Sequence, residues 1–190
     1  MPDLHLTDDE RADRLLSDNP LALLIGMLLD QQVPMEWAFA GPATLEDRLG
    51  AHLDAATVAA TDPERLEALF REKPALHRYP GSMAKRVHAL CQHVVDEYDG
   101  DPTAIWDGVD DATVLLKRLK GLPGYGDQKA RIFLALLGKQ CGITPDGWRE
   151  AAGDYGEDGH RSIADVTSPE ALLRVREFKQ SQKAKKKAGS

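Results

Sequence analysis

The chain has 190 residues, and 42% of them are hydrophobic, which is enough to bury the core of one domain or of two small lobes. Its two cysteines, Cys91 and Cys141, have no CxxC partner, so cysteines alone supply neither a zinc site nor an iron–sulfur cluster. The formal net charge of −7 argues mildly against binding to nucleic acid, although the distribution of charge matters more than the sum.

Several other classes of protein are excluded by what the sequence lacks. No run of about eighteen apolar residues is present that could form a transmembrane span. The acidic start has no basic segment followed by an apolar one, so we expect no secretory signal and a cytoplasmic protein. The six histidines show no HExxH spacing, which favours structural or solvated roles over metal binding.

The hydrophobic pattern predicts helices along almost the whole chain, about nine to eleven in number. In the first half we expect helices over residues 9–18, 20–33, 35–40, 43–50, 54–60 and 62–72. Asn19 and Asp62 are expected to act as N-caps, each followed by a proline at the first helical position. The helix over 20–33 is apolar on nearly all sides, which is typical of a buried central helix, and Gly41–Pro42 is expected to separate the next two.

The second half continues the helical pattern after a loop at 73–81 that carries His77 and Tyr79. Ser82 is predicted to cap a long amphipathic helix over 82–100. Further helices are expected over 110–121, 126–140, part of 145–156, and 168–186. No alternating segment of useful length predicts a strand, so the predicted fold class is all-α.

The C-terminal segment is basic, unlike the rest of the chain. Residues 172–190 contain seven Lys or Arg and a single acid, Glu177, which leaves the remainder with a formal charge of −13. An acidic body can still bind DNA where the contact face is locally positive. Two interpretations of this tail remain open: a solvated, fraying helix end, or an arm that binds phosphates.

The stretch LKGLPGYGDQKA, residues 119–130, separates two helices with glycines and a proline. Gly124 and Gly126 can adopt a positive φ or let another backbone approach closely. Such a turn exposes backbone N–H groups at a helix N-terminus, where a DNA phosphate can bind without base-specific readout. The simpler alternative is an ordinary corner between two helices.

The segment LPGYGDQKARIFLALLGKQ, residues 122–140, resembles the helix–hairpin–helix of the HhH-GPD superfamily of base-excision DNA glycosylases. LLIGMLLDQQV (23–33) resembles the buried helix of that family, which ends in a Gln-Gln or Ala-Gln pair. YPGSMAKRVHALCQHV (79–94) resembles the segment that precedes the hairpin, and the whole resemblance covers roughly residues 20–155.

This resemblance implies a two-lobed helical glycosylase-like fold without an iron–sulfur cluster. We expect a domain over residues 1–170, with its hairpin motif at 115–138, followed by the basic helix or tail at 171–190. The chain looks most similar to small bacterial HhH-GPD proteins of unsettled substrate. It is accordingly expected to act in base excision repair as a monomer on double-stranded DNA, in association with the nucleoid.

The family has an aspartate 24 positions after the first Leu of its Leu-Pro-Gly motif, and counting from Leu122 reaches Asp146 without a gap. The resemblance therefore implies that Asp146 stabilises the cationic sugar as the N-glycosidic bond breaks, and helps to orient the attacking water. A carboxylate beside an oxocarbenium-like centre does this electrostatically. The alternative is that Asp146 only caps the helix GWREAA, and both roles are compatible.

Bifunctional members of the family also carry a lysine six positions after that Leu, and here the position is Gln128. Lys129 follows one residue later, and one residue turns a helical side chain by about 100°. The sequence thus departs from the lyase pattern and favours a monofunctional enzyme, with Lys129 expected to face solvent or a phosphate. A bifunctional glycosylase and lyase acting through Lys129 remains an alternative.

The resemblance also suggests which residues contact DNA and the flipped base. Gln31 and Gln32 are at the position that fills the gap left by the base, with Gln32 the better match. His77, Tyr79 and Trp148 are candidates for the base pocket because flipped bases stack on aromatic rings. Trp37 and Trp106 are expected in the core. The predicted DNA-binding residues are Gln31, Gln32, Gly121, Leu122, Gly124, Gly126, Gln128 and Lys129.

No cofactor is predicted apart from a monovalent cation, K⁺ or Na⁺, which the family commonly holds on hairpin carbonyls such as those of Leu122, Gly124 and Gly126. A hypothesis from another class is a non-catalytic DNA-binding protein that has kept the hairpin and lost the pocket. The sequence does not identify the damaged base.

Overall fold

A computed structural model describes residues 2–190, which form ten α-helices and no β-strand, as the all-α prediction requires. The helices are α1 (Glu10–Asp18), α2 (Pro20–Leu29), α3 (Met35–Leu49), α4 (Ala55–Ala60), α5 (Pro63–Arg71), α6 (Pro80–Tyr98), α7 (Ala112–Lys120), α8 (Asp127–Gln140), α9 (Trp148–Ala152) and α10 (Pro169–Ala188). Three short 3₁₀ segments lie at Pro102–Ile105, Gly153–Gly156 and Ile163–Asp165.

Helix α2 is the centre of the core, as its continuous apolar sequence predicts. Every residue from Leu21 to Leu29 is buried. Asn19 begins the helix by accepting hydrogen bonds from two backbone N–H groups, and its amide donates to the Leu53 carbonyl at 2.7 Å. Helix α2 packs against α1, α3, α6 and α8. Because α4 and α5 pack on α6, and α7 and α9 pack on α8, α2 lies between two groups of helices.

Helix α3 is continuous, which corrects the prediction that Gly41–Pro42 separates two helices. Proline removes one backbone donor inside the helix, at a typical cost of about 3 kcal/mol. Burial offsets that cost, because Phe39 and Leu45 on either side are both in the core. Gly41 also has a packing role: a Cβ atom there would lie 2.7 Å from Leu29 Cδ1, so a side chain would separate α3 from α2.

Two other helix boundaries differ from the prediction. Helix α2 ends at Leu29 rather than at residue 33, because Asp30 already leaves the helical conformation at φ −73° and ψ 70°. Helix α6 begins at Pro80 with Tyr79 at the N-cap position, so Ser82 lies inside the helix instead of capping it. The predicted cap at Asp62 is confirmed by hydrogen bonds from the first turn of α5, and Ser168 caps α10 in the same way.

The tryptophans divide differently from the prediction that Trp37 and Trp106 are both in the core. Trp106 is buried, with its ring centroid 6.0 Å from that of Phe133. Trp37 is 40% exposed on the first turns of α3, so its assignment to the core was wrong. Separately, none of the helices formed by residues 2–190 is both long and apolar enough to cross a membrane.

Candidate functional site

The turn between α7 and α8 is fastened to the central helix α2. Leu122 and Tyr125 are buried, and the Tyr125 hydroxyl donates a 2.7 Å hydrogen bond to the Leu24 carbonyl. Gly124 has a φ of 82°, and a Cβ atom on it would lie 2.2 Å from Leu28 Cδ1. Glycine is therefore required at 124 both by the left-handed backbone and by the close approach of α2.

The N-terminus of α8 presents uncapped backbone donors. Gly126 is the N-cap residue, and within the described part of the chain no side chain accepts a hydrogen bond from the first turn. No atom of residues 2–190 lies within 4 Å of a Cβ built on Gly126, apart from its own neighbours, so this side of the turn is open. Such donors at a helix N-terminus are suited to an anion.

Asp127 places a carboxylate in the same turn. Its oxygens lie 2.6 Å from the Lys120 ammonium and 2.9 Å from the Arg131 guanidinium. Hydrogen bonds from Arg131 and Lys120 hold the pKa of Asp127 below its ordinary value. The two cations thus offset the one acid beside the uncapped donors.

Lys129 extends from the first turn of α8 to the C-terminal end of α2. Its Nζ donates to the carbonyl of Met27 at 2.5 Å and to that of Asp30 at 3.1 Å. Burial lowers the pKa of Lys129 to about 8, and the Asp30 carboxylate partly opposes this shift. The expectation that Lys129 faces solvent or a phosphate was therefore wrong: the ammonium satisfies carbonyls that end α2.

His77 holds the same end of α2 from the other side. It is fully buried, and its Nε2 lies 3.1 Å from the Leu29 carbonyl and 3.0 Å from the Gln31 carbonyl. The Tyr79 N–H donates to Nδ1, so the ring is neutral with its proton on Nε2. Burial lowers the pKa of His77 and favours this neutral form. The ring ties the 73–79 loop to α2 and has no solvent-exposed face.

The two glutamines after α2 have different surroundings. Gln31 is held in place, because its amide donates to the Leu28 carbonyl at 2.8 Å and accepts from Arg86 at 2.8 Å. Gln32 is exposed and has a φ of 58°, an uncommon conformation for a residue other than glycine. The α2–α3 loop therefore presents Gln32 to solvent, next to the hydrogen-bonded Gln31 side chain.

Two half-exposed aromatic rings lie beside this loop. Trp37 is 40% exposed and Tyr79 is 43% exposed, with ring centroids 6.5 Å and 6.1 Å from that of the buried His77. The guanidinium of Arg78 lies 5.6 Å from the centre of the Tyr79 ring. This surface is therefore aromatic and cationic next to Gln32.

Asp146 is fastened by its backbone to the start of α7. Its N–H donates to the Asp110 carbonyl at 2.7 Å, and its carbonyl accepts from the Ala112 N–H at 3.0 Å. The carboxylate is exposed and makes no hydrogen bond or ion pair to any described residue. Gly147 is the N-cap of α9, with a φ of 77° and no side-chain cap, so Asp146 does not cap that helix.

Asp146 lines an open cavity of about 440 Å³, together with Val109, Asp110 and the segment 143–145. None of the three candidate pocket residues lines this cavity. Trp148 instead packs against α8, where a Cβ on Gly138 would lie 2.5 Å from the indole. The Gln128 amide donates to the Tyr155 hydroxyl at 2.9 Å.

Apart from the hairpin residues and Trp148, the candidate site residues fall into two groups. One group surrounds the C-terminal end of α2 and comprises Gln31, Gln32, His77, Tyr79 and Lys129. The other is Asp146 with its own cavity. Among residues 2–190 no hydrogen bond or ion pair joins the two groups directly, nor does any cluster of three or more His, Cys, Asp or Glu form there that could hold a metal ion.

Sequence reasoning did not identify four residues that lie at or near the α2 end. Arg86 binds Gln31, Lys179 lies 4.0 Å from the Asp30 carboxylate, and Arg176 pairs with Glu36. Trp37 is the fourth. The basic character of residues 172–190 was the only sequence signal for Arg176 and Lys179. Their contacts could not be predicted, because they join parts of the chain that are distant in sequence.

Comparison with protein families matches residues 25–188 to the model of the HhH-GPD superfamily base excision DNA repair protein. The match includes the central helix from Ile25 onward, the hairpin, Asp146 and nearly all of α10. Searches of curated proteins and of solved structures gave no match.

Proposed function

The chain belongs to the HhH-GPD superfamily of base excision DNA repair proteins, and we propose that it is a monofunctional DNA glycosylase. It would bind duplex DNA, hold a damaged base outside the helix, and hydrolyse the N-glycosidic bond with water as the nucleophile. The products would be the free base and an abasic site.

The observation that carries this proposal is the state of Asp146. Its carboxylate makes no bond to a described residue, Asp146 lines a cavity of about 440 Å³, and two hydrogen bonds of its backbone fix the position of the residue. A carboxylate that stands on a fixed backbone and has no other partner can stabilise a developing sugar cation without first breaking another bond. At about 4 Å from that cation, with an effective dielectric constant near 20, it would contribute about 4 kcal/mol, or roughly 10³-fold in rate.

Binding of DNA in this proposal uses the hairpin and the α2–α3 loop. A phosphate would accept from the uncapped N–H groups of α8, with Lys120 and Arg131 next to them. A cation on the carbonyls of Leu122 and Gly124 would add to this contact. Gln32 would fill the space left by the flipped base, since it is the exposed residue at the loop tip.

The monofunctional assignment is supported by the side chains at the position of the lyase amine. Gln128 has an amide and cannot form a Schiff base, and Lys129 is directed to the carbonyls of α2. Burial of Lys129 favours a bifunctional enzyme instead, because with a pKa lowered to about 8 roughly a tenth of this side chain is the neutral, nucleophilic amine at pH 7. Borohydride trapping of a covalent DNA adduct that is lost in Lys129→Ala would establish the lyase.

A second candidate is a non-catalytic DNA-binding protein. It is favoured by the cavity beside Asp146, which is lined by none of the aromatic candidates for base stacking. The two functions differ in one assay, in which folded protein is incubated with duplexes carrying uracil, alkylated, deaminated or oxidised bases. We expect release of at least one base; binding without any release would overturn the glycosylase proposal.

A further inference from the structure

Helix α10 leaves the body of the protein as a basic helix of 20 residues, about 30 Å long. Its first turns are packed, with Ala171, Leu172 and Val175 buried, and Ser168 caps its start. From Ser181 to Ser190 every residue is exposed. Half of the helix is thus an anchored stem and half has no partner in the described chain.

Two ion pairs fix where the helix crosses the body. Arg176 pairs with Glu36 in the first turn of α3, and the Lys179 Nζ lies 4.0 Å from the carboxylate of Asp30, the C-cap of α2. Both contacts flank the short loop between α2 and α3. The basic helix therefore emerges beside Gln32, at the same edge of the molecule as the proposed DNA contact.

The lysines beyond the anchors are not spread evenly around the helix. At about 100° per residue, the same side of the helix carries Arg176, Lys179, Lys183, Lys186 and Lys187. Lys185 points to the opposite side. The cationic stripe that contacts the α2–α3 edge therefore continues along the exposed half of α10.

The charge distribution indicates the partner. Residues 172–190 carry seven Lys or Arg against one acid, while the rest of the chain has a formal charge of −13. The exposed half contains no acid and no apolar side chain larger than alanine, so it has no face that could insert into a bilayer or pack on an apolar surface. A polyanion fits these properties.

We propose that the exposed half of α10 binds the phosphates of duplex DNA that flank the target nucleotide. This inference rests on the proposed binding of DNA at the α2–α3 loop. From Lys179 to Lys187 the helix rises about 12 Å, which corresponds to three or four base pairs at about 3.4 Å each. The tail thereby lengthens the DNA contact of a small, acidic protein.

The test is the salt dependence of DNA affinity in the full-length protein. The probe is a labelled duplex that carries a tetrahydrofuran abasic-site analogue, and the logarithm of the binding constant is plotted against that of the salt concentration. Each phosphate contact contributes about 0.9 to the slope. We expect the double variant Lys183→Gln, Lys187→Gln to lower the slope by about 1.8. Lys185→Gln, which removes an equally exposed charge on the other side, should leave it unchanged.

Two results would overturn the inference. An unchanged slope in the double variant would mean that these lysines contact no DNA phosphate. The same conclusion would hold if the double variant bound anionic phospholipid vesicles less well while its slope for DNA stayed unchanged. An equal effect per lysine for Lys185→Gln would mean that net charge, and not the stripe, is responsible. Failure of this inference can be distinguished from failure of the proposed glycosylase function. If the glycosylase proposal failed, the wild-type protein would release no base, but its DNA affinity could still be compared with that of the variants.

Discussion

The substitution Gly124→Ala tests how the hairpin is held against the central helix. Gly124 has a φ of 82°, and a methyl group there would lie 2.2 Å from Cδ1 of the buried Leu28. The left-handed conformation costs a residue with a Cβ about 1–2 kcal/mol. Overpacking against a buried side chain adds about 1–3 kcal/mol.

The net effect on the free energy of unfolding is slightly smaller than the sum. Alanine restricts the unfolded chain more than glycine does, and this raises the free energy of unfolding by about 0.4–1 kcal/mol. Gly124→Ala should therefore lower the free energy of unfolding by about 2–4 kcal/mol. For a domain of this size the melting temperature should fall by roughly 4–16 °C.

The same hairpin offers a matched control in Gly126→Ala. Gly126 has a φ of −86°, and no described atom beyond its chain neighbours lies within 4 Å of a Cβ built on it. We expect this variant to change stability by less than about 1 kcal/mol, because alanine is less favourable than glycine at an N-cap but also restricts the unfolded chain. Urea unfolding followed by circular dichroism measures both variants on one scale.

A double-mutant cycle with Leu28→Ala isolates the steric part. Leu28→Ala alone should cost about 2–5 kcal/mol as a cavity, but it also removes the atom that collides with the new methyl group. The double variant should thus be more stable than the sum of the single losses by about 1–3 kcal/mol. Additive losses, or a Gly124→Ala variant as stable as Gly126→Ala, would refute this packing of the hairpin on α2.

Two further outcomes follow from the end of α2. The pKa of Lys129 is about 8 in the fold and 10.5 ordinarily, so this side chain binds more protons in the unfolded chain between these pH values, and its own contribution to stability rises with pH there by up to about 3 kcal/mol. Lys129→Met should remove that rise when urea unfolding is compared at pH 7 and pH 10.5, and parallel profiles would contradict the burial of this ammonium. Gln32→Gly keeps the left-handed backbone and should change stability by less than about 1 kcal/mol while slowing base release. Asp99→Gly makes the same backbone change at the end of α6 and should not slow release; equal rates for both variants would exclude the gap-filling role.

Most of the helices could be predicted from the sequence because residues next to each other in the chain determine where they begin. Asn19–Pro20, Asp62–Pro63 and Ser168–Pro169 each combine a capping side chain with a proline that begins a helix, and all three begin helices. The error at Pro42 had a tertiary cause. Burial of both halves of α3 against the core stabilises a helix that the local sequence disfavours.

The candidate site was less accessible to sequence reasoning. The family resemblance selected Asp146 by its spacing from Leu122, and selected Gln32 by its place in the Gln-Gln pair, because both positions can be counted along the local sequence. The direction of Lys129 depends on Met27, which is 102 residues away along the chain. The exposure of Trp37 likewise depends on where the 73–79 loop packs, and the sequence of α3 does not determine the position of that loop.

The measurement that tests the proposed function most directly is base release by Asp146→Asn. Asp110→Asn is the matched control, because that residue lines the same cavity. On a duplex whose base the wild-type protein releases, Asp146→Asn should lower the single-turnover rate by about 10²–10³-fold while leaving DNA affinity unchanged. Asp110→Asn should release the base at nearly the wild-type rate. Release by Asp146→Asn at the wild-type rate would contradict the assignment of Asp146 as the group that stabilises the sugar cation.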